Sequence, residues 1–201
     1  MKSRTQGFSL FELMVVVALA GLILGLGAPS FREFRQNNRL TGVGNDFLGA
    51  LLLARTEAIK RQQPVSLCAS NNPNDDAPSC SKGAYTGWIV FEDRNSDCML
   101  DADPEMLLRG DGPVEAEVKT QATGSCMPFM PTGFLKPQGG EPDDKIQRVL
   151  FCDQRGTDPI DGANVSAARG IIVTATGRAR ITREVNTNTD LDLKKWAIAC
   201  P

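Results

Sequence analysis

The sequence of 201 residues contains no histidine and only one tyrosine. The absence of histidine excludes serine–histidine–aspartate and cysteine–histidine catalytic groups, and every metal site that needs an imidazole ligand. The net charge is only -2, from 22 basic and 24 acidic residues, which excludes a uniformly cationic nucleic-acid-binding protein. A glycine-rich phosphate-binding loop is also absent from the sequence. We therefore predict that the protein is not an enzyme and binds no cofactor.

A long apolar segment lies near the N-terminus. Residues 8–28 are almost wholly apolar or small, and only Ser9 and Glu12 interrupt them. At about 1.5 Å per residue, a helix of this length reaches roughly 30 Å, the thickness of the hydrocarbon core of a bilayer. Lys2 and Arg4 precede the segment, and the positive-inside rule places these residues in the cytoplasm. We predict a transmembrane helix over residues 8–28, with the rest of the chain exported.

A cleaved secretory signal is the alternative interpretation of this segment. It requires a small-residue cleavage site, and Ala28-Pro29-Ser30 fits that requirement poorly. Glu12 argues against it more strongly, because a carboxylate inside a transmembrane segment is costly and indicates a functional site. The alternative for Glu12 is a position near the cytoplasmic interface, where its cost is small.

The residues around Glu12 carry a resemblance to a known family. The sequence GFSLFEL at residues 7–13 resembles the class III leader of type IV pilins and type II secretion pseudopilins. The resemblance implies a leader of residues 1–7, which a prepilin peptidase removes between Gly7 and Phe8, and methylation of the new N-terminal Phe8. It also implies that Glu12 pairs with the N-terminal amine of a neighbouring subunit during filament assembly.

Apolar residues recur at helical spacing after Pro29, where members of that family carry a helix-kinking proline. They fall at three- or four-residue steps or multiples of them: Phe31, Phe34, Val43, Phe47, Leu51, Ala54 and Ala58. This pattern predicts an amphipathic helix to about Arg61, which the following Pro64 ends. We interpret residues 29–62 as the exported half of a long N-terminal helix, with its apolar stripe lying on a sheet.

From residue 63 onward the pattern changes to short β segments separated by turn residues. The candidate strands are residues 65–69, 87–92, 105–109, 114–119, 147–152, 170–181 and 196–199. They predict a β-rich globular domain over residues 63–201, in which the long helix packs on an antiparallel sheet. The predicted class is α+β, and the family resemblance implies the type IV pilin fold.

The six cysteines all follow the apolar segment, and an even number in an exported domain indicates disulfides. They are Cys68, Cys80, Cys98, Cys126, Cys152 and Cys200. No CxxC zinc motif occurs among them, so we predict no metal site. The sequence alone allows about fifteen connectivities. We predict Cys68–Cys80 around an Asn/Pro-rich loop and Cys152–Cys200 at the C-terminus, which leaves Cys98–Cys126.

The middle of the chain makes the resemblance more specific. GWIVFED at residues 87–93 and EMLLR at residues 105–109 are similar to two elements of the GspH/FimT branch of minor pilins. Residues 126–142 match no pattern of that branch. The resemblance implies a single-pass protein of the bacterial inner membrane, with a cytoplasmic N-terminus and a periplasmic C-terminal domain. Its implied partners are other pilin subunits, with which it assembles into a pilus.

An acidic turn at residues 93–105 offers the spaced carboxylates that calcium requires. The spacing fails in detail, because Cys98 stands where a calcium loop needs glycine and Pro104 where it needs a bidentate glutamate. We therefore interpret this segment as a solvated acidic turn.

Charge is segregated along the chain although its sum is close to zero. Residues 169–195 contain six basic and three acidic residues, whereas residues 92–117 contain nine acidic and two basic residues. If residues 171–182 form one strand, Arg178 and Arg180 project from the same face, beside threonine hydroxyls. Guanidinium groups in such an arrangement suit the phosphate oxygens of nucleic acid.

The sequence GRAR at residues 177–180 also resembles the Gly-Arg-x-Arg motif of FimT-type minor pilins, which implies DNA binding during natural transformation. We predict a non-specific DNA site whose residues are Gly177, Arg178, Arg180, Arg183, Lys194 and Lys195. The nearby Trp196 is interpreted as a core residue. One alternative is an ordinary solvated strand face. Another is a structural minor pilin or secretion pseudopilin that primes or caps the filament without DNA, in which this patch meets another subunit.

Overall fold

The computed structural model describes residues 7–81, 84–101, 105–112, 114–124, 126–136, 147–196 and 200. The chain divides into two compact units, Met1–Asn38 and Arg39–Pro201. Three expectations from the sequence fall wholly or partly outside the described residues. They are the leader before Gly7, part of the segment 126–142 and residues 197–199 of the last candidate strand.

Helix α1 runs from Leu10 to Arg61. Ser9 caps its N-terminus, since the Ser9 Oγ accepts a hydrogen bond of 3.2 Å from the backbone N–H of Glu12. Serine followed three residues later by glutamate is the sequence pattern of a capping box. At the other end Gln62 adopts a left-handed conformation with φ 55°, so the helix ends at the predicted residue.

In the described part of the chain, eight strands follow α1. They are β1 Val65–Ser70, β2 Gly87–Glu92, β3 Leu107–Asp111, β4 Lys119–Ala122, β5 Cys126–Phe129, β6 Gln147–Cys152, β7 Val165–Val173 and β8 Ala179–Glu184. The strands form two antiparallel sheets, with the orders β3-β2-β1-β5 and β4-β6-β7-β8. The predicted α+β class, a long helix packed on antiparallel β structure, is confirmed, although the strands divide between two sheets.

The part of α1 in the second unit packs on both sheets. Its buried side chains are Leu40, Phe47, Ala50, Leu51, Ala54 and Ala58. The Phe47 ring lies 5.2 Å from the ring of Trp88 in β2 and 5.6 Å from that of Phe151 in β6, with edge-to-face geometry. Phe47 therefore joins the two sheets in one core. Phe31 and Phe34, which belong to the first unit, are exposed. The predicted apolar stripe is therefore buried only in the second unit.

Three strand predictions are wrong in their placement. The segment expected at 114–119 pairs only from Lys119 onward, as β4, and β5 was not predicted. The single strand expected at 170–181 is a hairpin made of β7 and β8. Trp196, expected to begin a strand, follows the short 3-10 helix Leu193–Lys195.

The structure contains the three predicted disulfides, Cys68–Cys80, Cys98–Cys126 and Cys152–Cys200. Cys68 lies in β1 and Cys126 in β5, and the two residues are register partners. Two of the disulfides therefore start from neighbouring positions in one sheet. The third attaches the C-terminal segment to β6.

Candidate assembly segment and basic surface

The start of α1 presents the two residues expected to act in assembly. Phe8 is 77% exposed and lies two residues before the helix begins at Leu10. Glu12 lies in the first helical turn and is also exposed. Within the described residues its carboxylate has no hydrogen-bond or ion-pair partner. The carboxylate is therefore accessible to a cation from another molecule.

The N-terminal part of α1 has the length and composition of a membrane span. Its large apolar side chains are exposed, among them Leu10, Phe11, Met14, Leu22 and Ile23. Exposed apolar surface of this extent favours a location in a bilayer or among other apolar helices.

The β7–β8 turn places the first half of the predicted basic site. The Gly177 N–H donates a hydrogen bond of 2.8 Å to the backbone carbonyl oxygen of Thr174. The Thr174 N–H donates one of 2.9 Å to the backbone carbonyl oxygen of Arg178. Gly177 has φ +72°, which matches a hairpin loop closed by a left-handed glycine. The pattern Ala-Thr-Gly before Arg178 is the sequence feature that could have indicated this turn.

Gly177 itself is buried and is not a surface contact. Its carbonyl oxygen accepts a hydrogen bond of 3.2 Å from Arg55 Nη1 on α1. A Cβ atom at position 177 would lie 2.4 Å from the carbonyl oxygen of Gly133. The glycine of the GRAR sequence therefore shapes and docks the turn.

Arg178 and Arg180 are both exposed. They do not belong to one long strand, as the sequence predicted, because Arg178 closes the turn and Arg180 lies in β8. Neither guanidinium has a hydrogen-bond or ion-pair partner among the residues that the structure describes. Within the described residues, these two neighbouring cations are therefore not paired with a carboxylate.

The other three predicted basic residues are engaged within the domain. Arg183 Nε donates a hydrogen bond of 2.9 Å to the backbone carbonyl oxygen of Ser166. Lys194 forms an ion pair of 3.6 Å with Asp158. Lys195 donates to the side-chain oxygen of Asn188. Only Lys194 faces an opposite charge, because the hydrogen bonds of Arg183 and Lys195 go to neutral oxygens and restrain these side chains without neutralising them.

Two further residues of the basic segment are internal. Arg169 is 7% exposed, and its guanidinium donates hydrogen bonds to Ala167 O and Thr41 Oγ1. Burial, together with the positive charges of Arg183 and Arg155, lowers the pKa of Arg169 to about 10. Trp196 is buried, as predicted, and donates its indole N–H to the Asp190 oxygen. It is not available for stacking on a base.

The acidic turn is organised by its own hydrogen bonds. The Asp93 carboxylate accepts from the Ser66 hydroxyl and from the backbone N–H groups of Asp97 and Cys98. The Glu105 carboxylate accepts from the backbone N–H groups of Arg94 and Asp101. Asp93 also lies near Cys98 and Cys126, but the two sulfurs are bonded to each other in a disulfide and do not offer thiolates to a metal ion. The carboxylates at the base of the turn therefore act structurally.

Comparisons with known proteins agree with this architecture. The family model of the type II transport protein GspH matches residues 43–177, and the model of the prokaryotic N-terminal methylation motif matches residues 2–28. No curated protein matches the chain.

Two crystal structures of the type IV minor pilin FimU from Pseudomonas aeruginosa are similar to the fold. The first has 18% sequence identity and a TM-score of 0.48, and the match covers 74% of this chain and 91% of that chain. The second has 15% identity and a TM-score of 0.45, with 71% and 91% covered.

The GspH match includes most of the packed part of α1, strands β1 to β7 and the β7–β8 turn as far as Gly177, and it ends before β8. The methylation motif includes Gly7, Phe8, Glu12 and the apolar half of the helix. Together they account for a pilin-like architecture from the leader to the turn. The chain belongs to the GspH/FimT family and is a minor pilin or pseudopilin.

Proposed function

We propose that this minor pilin binds DNA through the β7–β8 turn during natural transformation. The observation that carries the proposal is the pair Arg178 and Arg180, which are exposed and have no partner among the described residues. Guanidinium groups without a carboxylate partner, at the end of a docked turn and at the start of the strand that follows it, are suited to phosphate oxygens. The contacts go to the phosphate backbone, so binding is independent of base sequence and depends steeply on salt.

We also propose the route by which the protein reaches the filament. A prepilin peptidase cleaves between Gly7 and Phe8, and the new N-terminal amine is methylated. The chain resides in the bacterial inner membrane through residues 8–28, with its C-terminal domain in the periplasm. It then assembles with other pilin subunits. The exposed Phe8 and Glu12 at the start of α1 support this proposal, because both are accessible to other molecules.

A structural role without DNA is the second candidate. It is favoured by the internal contacts of Arg183, Lys194 and Lys195, which leave a smaller free basic surface than the sequence predicts. In this case the turn meets an acidic surface of another subunit when the protein primes or caps the filament.

DNA titrations of the full chain in non-ionic detergent micelles at several salt concentrations test the first candidate. The wild type is expected to bind two unrelated duplexes equally, and Arg178→Gln with Arg180→Gln is expected to abolish binding while the melting curve is unchanged. Lys60→Gln, which removes an exposed charge from α1, is the control and should bind normally. Binding by the double variant at low salt would reject the site.

A further inference from the structure

A third arginine lies in line with Arg180 on the same sheet. Arg148 of β6 is the register partner of Ile172 in β7, and Ile172 is the register partner of Arg180 in β8. Directly paired residues in antiparallel strands place their side chains on the same face of the sheet. Neighbouring strands are about 4.8 Å apart, so the backbones of Arg148 and Arg180 are separated by about 10 Å.

This shared face points away from α1. The residues that flank the row in sequence, Val149 and Ile171, belong to the core beneath the helix. Ile172 instead packs with Leu193 and Trp196 on the opposite side of the sheet. Arg178 lies directly before β8, and its carbonyl oxygen accepts a hydrogen bond from the Thr174 N–H, one step beyond the register pair of Val173 and Ala179. Arg148, Arg178 and Arg180 therefore form one basic row along the outer face.

Trp196 holds Arg148 in place. The Arg148 guanidinium carbon lies 5.9 Å from the centroid of the Trp196 ring, within the range of a cation–π contact. Among the described residues, the Arg148 side chain has no carboxylate or carbonyl partner, and its buried Nε lacks an acceptor. A guanidinium held by an aromatic ring loses less conformational freedom when it binds an anion. Arg148 is half-buried, so its terminal nitrogens, rather than the buried Nε, are the atoms that remain to bind an anion.

We propose that Arg148 is a third phosphate contact of the DNA-binding surface, positioned by Trp196. The inference rests on the proposed DNA binding. The hydroxyls of Thr174 and Thr176, which are hydrogen-bonded to each other at 2.9 Å, are exposed in the turn before Arg178. The GRAR sequence gives no indication of Arg148, because β6 joins the row only through strand pairing.

The test measures fluorescence anisotropy of a labelled duplex with the full chain in detergent micelles, over a range of KCl concentrations. The logarithm of the binding constant falls as the logarithm of the salt concentration rises, and each lost phosphate contact reduces the steepness of this fall by about 0.9. We expect this change for Arg148→Gln, whereas Arg178→Gln with Arg180→Gln should not bind at any salt concentration. Arg148→Met, which keeps an apolar stem over the Trp196 ring, should give the same slope as Arg148→Gln. Arg148→Lys should keep the wild-type slope.

Lys119→Gln is the matched control. Lys119 is exposed on the same face, since it is the register partner of Cys152, four residues along β6 from Arg148. Its removal should leave the slope unchanged. A wild-type slope in folded Arg148→Gln or in folded Arg148→Met would overturn the inference. Loss of binding in Arg178→Gln with Arg180→Gln would in that case still support DNA binding. No binding by the wild type would reject the proposed function, and the inference with it.

Discussion

Arg55 of α1 donates a hydrogen bond of 3.2 Å to the carbonyl oxygen of Gly177, so the long helix and the β7–β8 turn are directly connected. Arg55 Nε also lies close to the position that a Cβ atom at residue 177 would occupy. The turn that carries Arg178 is consequently docked on the body of the domain. A docked turn presents its arginines in one geometry, which reduces the entropy that phosphate binding costs.

The first prediction concerns this docking. Gly177→Ala is expected to lower the melting temperature, because alanine disfavours φ +72° by about 1–2 kcal/mol and its Cβ would clash with Gly133 O. Gly156→Ala is the matched control: Gly156 also has positive φ, at +65°, but a Cβ there meets nothing within 4 Å. Circular dichroism melts should show the larger loss for Gly177→Ala. Equal losses would mean that the close contact with Gly133 is unimportant.

The second prediction concerns filament assembly. Glu12→Gln is expected to leave leader cleavage intact and to prevent incorporation into the filament, because the neutral amide no longer attracts the N-terminal amine of a neighbouring subunit. In the low-dielectric bilayer, pairing lowers the cost of both charges. Immunoblots of sheared filaments and of membranes measure the two outcomes separately. Glu33→Gln, at an exposed carboxylate farther along α1, should assemble normally. Normal incorporation of Glu12→Gln would contradict the assembly role.

The third prediction concerns pH. Burial by itself raises the pKa of the Asp192 carboxyl, but the backbone N–H groups of Lys194, Asn188 and Thr187 donate to it and lower its pKa overall. A depressed pKa in the folded state stabilises the protein above the pKa of the unfolded state, about 3.9, and this contribution is lost as pH falls through the folded pKa. Thermal unfolding between pH 2 and pH 7 should therefore show a loss of stability at acid pH.

Asp192→Asn is expected to be less stable at pH 7, by about 1 kcal/mol, and to lose less stability in acid than the wild type. The exposed neighbour Asp190 contributes its backbone carbonyl to Trp196, so Asp190→Asn is a suitable control. A wild-type pH profile in Asp192→Asn would show that the carboxylate is not responsible.

Much of the fold is predictable because its causes are local. Ser9 caps α1, and Pro64 prevents the helix from continuing far beyond Arg61. Strands β2 and β6 lie where the apolar β-branched and aromatic runs predict them. These features depend on neighbours in sequence, which single-chain patterns describe directly.

The errors occur where distant contacts decide the outcome. Residues 171–182 alternate so regularly that they resemble one strand, yet the chain reverses at Gly177. The reversal is stabilised by Arg55, which is 122 residues away. The short β4 begins at Lys119, where the chain first meets β6.

The sequence by itself determined the apolar helix with its single carboxylate, the α+β class and the presence of an arginine-rich C-terminal segment, since composition and periodicity express these features directly. Only the tertiary structure decided which of those basic residues are free. Packing buries Gly177 and Arg169, and side-chain contacts engage Arg183, Lys194 and Lys195. Strand register, which joins residues far apart in the chain, adds Arg148 to Arg178 and Arg180.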